Sequence, residues 1–247
     1  MIKLPKVIGH RGCAAYAPEN TLEGIHTAAD MSVEWVELDV KLTKDSVPII
    51  FHDDTLERTT NGQGKVAELT YEELSQFECG SYFSDGFSGA KIPTLEEAID
   101  VIIERGLGLN LEIKPCAGRE VETAEVALDI LSQYWDDHQK LIISSFQHGC
   151  LEVAQDMAQD WARGLLFDEF PENWKELCDY FYAYSIHVNA NKIEQHQILD
   201  IIDYDKRVLA YTVNDGFQAI ELQRSGVDCF FSDNPDVIME SILTAVH

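Results

Sequence analysis

Short apolar runs alternate with longer stretches of helical spacing along almost the whole chain. The apolar runs predict β-strands near residues 6–10, 34–42, 47–52, 107–114, 140–146, 163–167, 183–188, 207–213 and 227–232. The helical spacing predicts α-helices over residues 21–31, 94–105, 119–135, 148–159, 173–180, 192–202, 215–224 and 235–246. Strands separated by helices are typical of βαβ units in a parallel sheet. About eight such units favour a closed α/β TIM (β/α)₈ barrel. An open doubly wound sheet is the main alternative.

Two segments interrupt this regular alternation. The stretch LTKDSVPIIFHDD follows the second strand too closely for a helix, so we predict a hairpin-like extension of that strand. Residues 54–92 are polar and rich in glycine, with one short helix predicted in TYEELSQF. A loop of this length is usually functional, so we predict an insertion that forms a rim or lid over a site. Residues 1–247 are then expected to form one catalytic barrel domain.

The acidity of the chain limits its partners. A formal net charge of −26 repels nucleic acid and anionic membranes, so we expect neither nucleic-acid binding nor stable membrane association. The start MIKLPKVIGHRG lacks the apolar centre of a signal peptide, and no long apolar run predicts a transmembrane helix, so we expect a cytoplasmic protein. Six scattered cysteines without metal-like spacing indicate reduced thiols, and Cys13 is interpreted as a packing residue. No sequence feature indicates an oligomeric state.

Two predicted strands alternate apolar and charged residues. In WVELDVKL the charged face holds Glu37, Asp39 and Lys41, and in GLNLEIKP the polar face holds Asn110, Glu112 and Lys114. In a barrel the apolar face of each strand packs against the helices, and the polar face points into the barrel. Side chains at the carboxyl ends of the strands then reach the mouth of the barrel, where an active site forms. Three converging carboxylates (Glu37, Asp39 and Glu112) would suit one hard divalent cation, Mg²⁺ or Ca²⁺. A half-exposed sheet with a solvated face would show the same alternation.

Basic and titratable side chains follow the predicted strand ends. His10 ends the first strand and His52 ends the extension of the second, so the pair could divide proton transfers between base and acid. Arg11 and Lys114 would add positive charge for a phosphate group, and Gly9 and Gly12 would let backbone amides approach it. Salt bridges to carboxylates are the alternative for both cations. Structural or surface roles are expected for His26, His138, His148, His196 and His247, and His187 stays open between the two roles.

Four further residues are candidates near the mouth. Asn20 is expected to cap the helix that begins at Thr21, with Glu23 completing a capping box. Glu19 lies just outside that helix and is a candidate for holding a residue of the site in place without contacting the substrate itself. Phe146 and Tyr211, near strand ends, could form apolar walls of a pocket, with core packing as the alternative.

The ordered motifs resemble those of the glycerophosphodiester phosphodiesterases. They are GHRG with PENT, ELDV, HDDTLERTTNGQG, IPTLEEAI, LEIK, SSF, and YTVN followed by GVDCFFSDNPD, over residues 8–236. Each motif alone is weak, but together and in order they are specific. SIHVNANKI and the lack of a leader resemble the cytoplasmic bacterial branch. A small departure is Tyr211, where many members carry Trp.

The resemblance implies a TIM barrel with a small insertion after the second strand. It implies a divalent metal held by Glu37, Asp39 and Glu112. It also implies that His10 and His52 are the acid–base pair and that Arg11 and Lys114 bind the phosphate. The implied activity is hydrolysis of substrates such as glycerophosphocholine or glycerophosphoethanolamine to glycerol 3-phosphate and an alcohol. Either water or the glycerol 2-hydroxyl could attack, and either histidine could be the base.

Other functions fit the residues less well. An amidohydrolase barrel expects H-x-H, which the chain lacks. An enolase-type site would leave the paired histidines and Arg11 unexplained. Lysophospholipase D activity stays an open alternative: it would need a wider apolar entrance, which the insertion at 54–92 could either provide or block. A non-catalytic binding protein on the same barrel would be expected to lose a histidine or a carboxylate, and none is missing.

Overall fold

The computed structural model describes residues 2–245. Its strands are β1 (Val7–Gly9), β2 (Trp35–Leu42), β3 (Pro48–Ile50), β4 (Gly108–Ile113), β5 (Leu141–Ser145), β6 (Ala162–Phe167), β7 (Ser185–Asn189), β8 (Arg207–Tyr211) and β9 (Cys229–Ser232). Its α-helices are α1 (Leu22–Asp30), α2 (Tyr71–Leu74), α3 (Leu95–Glu104), α4 (Glu120–Tyr134), α5 (His148–Met157), α6 (Trp174–Tyr180), α7 (Gln195–Asp203), α8 (Gly216–Ser225) and α9 (Pro235–Thr244). Short 3₁₀ helices cover Val66–Glu68, Asp85–Phe87 and His138–Lys140.

The sheet closes on itself through its first two strands. Its order is β1-β9-β8-β7-β6-β5-β4-β2-β3, and β1 also pairs with β2 in parallel, with Gly9 opposite Val36. Within residues 2–245, the strands other than β3 therefore form a closed parallel barrel of eight strands surrounded by helices. The predicted TIM barrel is confirmed, and the open doubly wound alternative is wrong. Strand β3 pairs antiparallel with β2, with Val40 opposite Ile50, which confirms the hairpin-like extension.

The predicted boundaries agree with the structure to within a few residues. The largest shift is at α7, which begins at Gln195 and not at residue 192, and several other ends, such as that of β8 at Tyr211 and not at residue 213, differ by two residues. The last helix was predicted to residue 246, but Val246 and His247 lie outside the described residues. Across residues 2–245, no helix has both the length and the apolar character needed to cross a membrane. The cytoplasmic location stays a prediction.

The core lies between the sheet and its helices. The apolar faces of β2 and β4 pack against α3 and α4 through fully buried side chains such as Leu38, Leu111 and Ile99. Burying a side chain of this size contributes about 1.5–3 kcal/mol. Inside the barrel, Trp35 at the start of β2 packs so closely on β4 that a Cβ at Gly108 would lie 2.2 Å from its ring. Apolar side chains thus fill the barrel interior toward the strand starts, which leaves the strand ends for chemistry.

The segment after β3 folds onto a small apolar core of its own. Its buried members include Leu56, Val66 and Leu74, which pack with Ile49 of β3. The short helix predicted in TYEELSQF is present as α2, and Thr70 caps it in a capping box with Glu73. The insertion is therefore a packed structure attached to the second strand.

Candidate active site

A tight turn after β1 presents His10 and Arg11 at the end of the strand. A Cβ at Gly9 would lie 2.0 Å from the carbonyl oxygen of Gly12, so only glycine fits there. Arg11 and Gly12 both have positive φ, at 50° and 91°. The backbone N–H groups of Arg11 and Gly12 donate to Glu37, to its Oε2 at 2.9 Å and its carbonyl oxygen at 3.1 Å. The glycines therefore shape the turn, and the backbone N–H groups of Arg11 and Gly12, expected to approach an anion, donate here to Glu37.

A cavity of about 240 Å³ opens at the carboxyl ends of the strands. Its lining includes the predicted residues His10, Arg11, Glu37, Asp39, His52, Glu112, Lys114, Phe146 and Tyr211. It also includes Asn110, Ser144, Leu166, His187, Thr212 and Phe231. Glu19 lines an adjoining recess together with His10 and Arg11. A larger groove of about 510 Å³ near the start of β1 is mainly apolar, with Met31 and Met239 in its wall, so size alone does not locate the chemistry.

Three buried carboxylates meet in this cavity. Glu37, Asp39 and Glu112 are 4%, 2% and 8% exposed, and each offers an oxygen within 4.8 Å of the others. Burial, then repulsion from its neighbours, raises the pKa of Glu37 well above its usual value. Burial and the charge of Asp39 raise the pKa of Glu112 to about 7. Burial also works to raise the pKa of Asp39, but the charges of Arg11 and Lys114 outweigh it and lower that pKa to about 2.

Two cations lie beside the carboxylates. Arg11 Nη1 donates to Glu19 at 2.8 Å, and its Nε lies 3.6 Å from Asp39 Oδ2. Lys114 Nζ donates to Glu112 at 3.0 Å and lies 3.7 Å from Asp39 Oδ1. Burial works to lower the pKa of both side chains, but the surrounding carboxylates outweigh it and raise both pKa values. The salt bridges considered as alternatives are therefore present, and both cations line the cavity as well.

Each strand-end histidine is held through Nδ1 by an aspartate. His10 Nδ1 lies 2.7 Å from Asp233 Oδ1, and His52 Nδ1 lies 2.5 Å from Asp53 Oδ1. Asp233 in turn accepts a hydrogen bond from Asn214 Nδ2 at 2.6 Å. Burial lowers the pKa of His52. A carboxylate on Nδ1 fixes the orientation of the ring and leaves Nε2 for chemistry.

The residues before α1 differ from their prediction. Thr21 caps the helix by accepting from the Gly24 N–H at 3.0 Å, so the prediction that Asn20 is the cap, with a capping box through Glu23, is wrong. The Asn20 side chain turns to Asp39: its Nδ2 donates to Asp39 Oδ2 at 2.8 Å, and its Oδ1 accepts from the Asp39 N–H at 3.2 Å. Two hydrogen bonds to one residue hold Asn20 away from the helix end.

Aromatic residues form one wall of the cavity. The rings of Phe146 and Tyr211 meet edge to face with centroids 5.8 Å apart, and Lys114 Nζ lies 5.6 Å from the Phe146 centroid. Tyr211 Oη donates to the Phe167 carbonyl at 2.8 Å, which holds its ring in place. His187 is fully buried in the lining, and burial lowers its pKa to about 3, so it is neutral near pH 7.

Lys41 and Cys13, both named in the sequence analysis, are buried and have structural roles. Lys41, on the polar face of β2, is fully buried, and its Nζ donates to the Asp53 carbonyl at 2.6 Å and to Asp54 at 2.9 Å. It ties the strand to the loop that carries His52. Cys13 is buried in the core, and burial raises the pKa of its thiol to about 12, which agrees with a packing role.

This combination of barrel and site is shared with proteins of known family. The model of the glycerophosphoryl diester phosphodiesterase family matches residues 10–237. The chain belongs to that family. It is 31% identical to a glycerophosphodiester phosphodiesterase of Caldanaerobacter subterraneus, over 96% of this chain and 97% of the relative. The family is one of hydrolases, so the chain is an enzyme of the phosphodiesterase class.

Solved structures of relatives have the same fold. A phosphodiesterase of Oleispira antarctica in complex with the product sn-glycerol-3-phosphate is 40% identical, with a TM-score of 0.94 over 97% of each chain. A glycerophosphodiester phosphodiesterase of Thermotoga maritima is 28% identical, with a TM-score of 0.75 over 96% of this chain and 97% of the other. The barrel of this phosphodiesterase is therefore that of its family.

Sequence reasoning missed several polar residues that hold the site of this phosphodiesterase. Asp53 directly follows His52 in HDD, and Asp233 follows the last strand in SDNPD, so a search for carboxylates at strand ends would have found both. Arg58 hydrogen-bonds to Asp53 and to Glu19. Arg58 is on a loop inside the motif HDDTLERTTNGQG, but its place in that motif does not indicate which residues it contacts. Its partner Glu19 lies 39 positions earlier in the chain.

Proposed function

We propose that this phosphodiesterase hydrolyses glycerophosphodiesters, such as glycerophosphocholine and glycerophosphoethanolamine, to sn-glycerol 3-phosphate and an alcohol. We propose that it depends on one divalent cation, Mg²⁺ or Ca²⁺, and uses His10 and His52 as acid and base. One observation carries the proposal: a single cavity combines a buried carboxylate triad, two cations and two aspartate-held histidines. The Oleispira antarctica relative, in complex with sn-glycerol-3-phosphate, supports the product.

The donor set fits a hard divalent cation. Glu37, Asp39 and Glu112 supply oxygen ligands, which Mg²⁺ and Ca²⁺ prefer. Burial, and then repulsion from neighbouring carboxylates, raises the pKa values of Glu37 and Glu112 even with Arg11 and Lys114 beside them. A cation held by the triad would relieve this repulsion. When bound, it supplies charge neutralisation at the phosphate oxygens.

Arg11 and Lys114 would bind the phosphate group. Both line the cavity, and both keep their positive charge because carboxylates surround them. In a chain of net charge −26, an anionic substrate needs such a local positive centre. Charge develops on the phosphate oxygens during transfer, so fixed donors here would stabilise the transition state more than the bound substrate.

The two histidines would move the protons. One takes a proton from the attacking hydroxyl, and the other donates a proton to the leaving alcohol oxygen. Asp233 and Asp53 hold the Nδ1 atoms, so Nε2 of His10 and of His52 is the nitrogen that exchanges the proton. Detection of a cyclic glycerol phosphate would identify the glycerol 2-hydroxyl as the attacking group, and its absence under trapping conditions would identify water.

The remaining lining would contact the glycerol arm of the substrate. Phe146 and Tyr211 form an apolar wall beside Lys114. Tyr211 stands where many family members carry Trp, so its contact with glycerol is expected to be smaller. We propose that residues 1–247 act as one catalytic barrel domain and that the insertion at 54–92 forms part of the rim. Glu19 supports the site through Arg11.

The test is release of sn-glycerol 3-phosphate from a panel of glycerophosphodiesters. The protein is treated with EDTA, and Mg²⁺ or Ca²⁺ is then added back. We expect release from at least one diester, its loss with EDTA and its recovery with one cation. No release from any diester under any metal would overturn the proposal and favour a non-catalytic binding protein. Release that is unchanged by EDTA would overturn the metal dependence alone.

A further inference from the structure

Arg58, in the insertion after β3, bonds two carboxylates at once. Its side chain is 47% exposed. Toward Asp53, Nε donates to Oδ2 at 2.6 Å and Nη2 donates to Oδ1 at 2.9 Å. Toward Glu19, Nη1 donates to Oε2 at 2.6 Å and Nη2 donates to Oε1 at 2.7 Å. Both carboxylates are thus held by two parallel hydrogen bonds, a geometry that the planar guanidinium provides and an ammonium group does not.

Each of these carboxylates has a second partner that lines the cavity. Glu19 Oε1 also accepts from Arg11 Nη1 at 2.8 Å, and Asp53 Oδ1 also lies 2.5 Å from His52 Nδ1. A continuous chain of charged hydrogen bonds therefore runs from Arg11 through Glu19, Arg58 and Asp53 to His52. It joins the turn after β1 to the loop after β3, which are far apart in sequence.

Arg58 is itself anchored to the insertion and does not reach the cavity. Among the described residues that line the cavity, Arg58 is absent, so it acts through its partners. The insertion core holds Leu56, two residues before Arg58, fully buried. The insertion also reaches Glu19 a second time, because Tyr82 Oη accepts from the Glu19 N–H at 2.9 Å. The position of Arg58 is thus set by the fold of the insertion.

We propose that Arg58 is a positioning residue that sets the guanidinium of Arg11 and the imidazole of His52 relative to each other. This inference rests on the proposed roles of Arg11 in phosphate binding and His52 in proton transfer. It also gives the insertion a defined role, because the insertion then fixes the position of the phosphate-binding group relative to the proton-transfer group. Misplacement of such groups by about 1 Å can lower turnover by roughly 100-fold.

The kinetic test compares Arg58→Met, Arg58→Lys and a control, Lys65→Met. Lys65 is an exposed cation of the same insertion that pairs with Glu68. We expect Arg58→Met to lower kcat about 10- to 100-fold and to raise KM through Arg11. Arg58→Lys should recover part of the loss, because an ammonium can bond to a carboxylate but cannot hold it through two parallel hydrogen bonds. Lys65→Met should keep the kcat and KM of the unmodified chain. Equal kinetics for Arg58→Met and Lys65→Met would overturn the proposal.

A double variant tests the route through Asp53. If Arg58 acts through Asp53, the two substitutions remove the same interaction. The double variant Asp53→Asn with Arg58→Met should then lose less kcat than the product of the losses in the two single variants. Losses that multiply would show independent action and would overturn the route.

A spectroscopic test separates this inference from the proposed function. Nitrogen-15 spectra of the histidine side chains report on hydrogen bonding at Nδ1 and do not require turnover. In Arg58→Met we expect the His52 imidazole signals to shift and those of His10, held by Asp233, to stay unchanged. Unshifted His52 signals would overturn the positioning role. A shift in a chain that hydrolyses no diester would uphold the positioning role while the proposed function fails.

Discussion

Single residues decide the chemistry of this site through their partners. His10 and His52 have the same ring, yet the carboxylates on their Nδ1 atoms differ in surroundings. Asp53 is bonded by Arg58, which lowers its pKa, whereas Asp233 is bonded by the neutral Asn214. The strand ends bring the rings to one cavity, and these outer partners hold their orientation.

Removing either histidine should nearly abolish turnover. We expect His10→Ala and His52→Ala each to lower kcat by about 10²–10⁴, the usual span of general acid–base catalysis. Release of glycerol 3-phosphate under saturating substrate measures the effect. His196→Ala, which removes an exposed histidine of α7, should leave kcat unchanged. Near-normal turnover in both site variants would refute the acid–base assignment.

Removing one carboxylate of the triad should weaken cation binding. Glu112→Gln keeps the shape of the side chain but removes a charged ligand, so we expect the half-maximal Mg²⁺ or Ca²⁺ concentration to rise roughly tenfold or more. Calorimetric titration of the cation measures binding without substrate. Glu125→Gln on the exposed face of α4 is the matched control. Equal cation affinity in the two variants would argue against the triad as the ligand set.

At the scale of elements, the short β1 and the turn after it form a sterically constrained unit. The turn needs glycine at positions 9 and 12 for two different reasons. Gly9 faces the carbonyl oxygen of Gly12, and Gly12 has a φ of 91°. Glu37 of β2 then accepts from the N–H groups of Arg11 and Gly12. These hydrogen bonds fix the position of Glu37, a proposed metal ligand, relative to the turn that carries His10.

Adding a methyl group to this turn should damage stability and activity together. We expect Gly9→Ala to lower the free energy of unfolding by about 1–3 kcal/mol, because the new Cβ would overlap backbone and the turn must move. Urea unfolding and kcat measure the two effects. Gly86→Ala is the control, since the nearest atom to its new Cβ is Ser84 Oγ at 3.7 Å. A Gly9→Ala chain as stable and active as Gly86→Ala would show that the turn tolerates the group.

For the whole molecule, burial of a histidine inside the barrel links stability to pH. Burial lowers the pKa of His187 from 6.5 to about 3, and the ring packs 5.2 Å from Phe231, measured between centroids. The unfolded chain takes up a proton on His187 below pH 6.5, whereas the folded chain stays neutral there. The stability that His187 contributes is therefore complete above pH 6.5 and is lost as pH falls toward 3.

Replacing this histidine should make the fold less sensitive to acid. In the unmodified chain, His187 should reduce the free energy of unfolding by up to about 1.4 kcal/mol per pH unit below 6.5. We expect His187→Gln to show a shallower slope between pH 6.5 and pH 5 in urea unfolding. His196→Gln, at an exposed position, should keep the original slope. Identical slopes in all three chains would mean that His187 titrates normally in the folded state.

Much of this protein could be predicted from short-range pattern. The alternation of strands and helices predicted the barrel, and period two in WVELDVKL and GLNLEIKP predicted the inward carboxylates. Asn20 shows where such reasoning fails: its local sequence fits a helix cap, but Asp39 on the neighbouring strand β2 provides two hydrogen-bond partners. Local propensity is a weak preference that long-range hydrogen bonds override.

The sequence by itself determined the parallel barrel and the residues at its strand ends. Periodicity is local, and the carboxyl ends of parallel strands must converge wherever the sheet closes. Only the tertiary structure decided which partners hold those residues. His10 meets Asp233 from 223 positions away, and Arg58 meets Glu19 from 39 positions away. Such pairings depend on how loops approach one another after the barrel closes. The residue spacing within a single segment does not encode which distant residue becomes the partner.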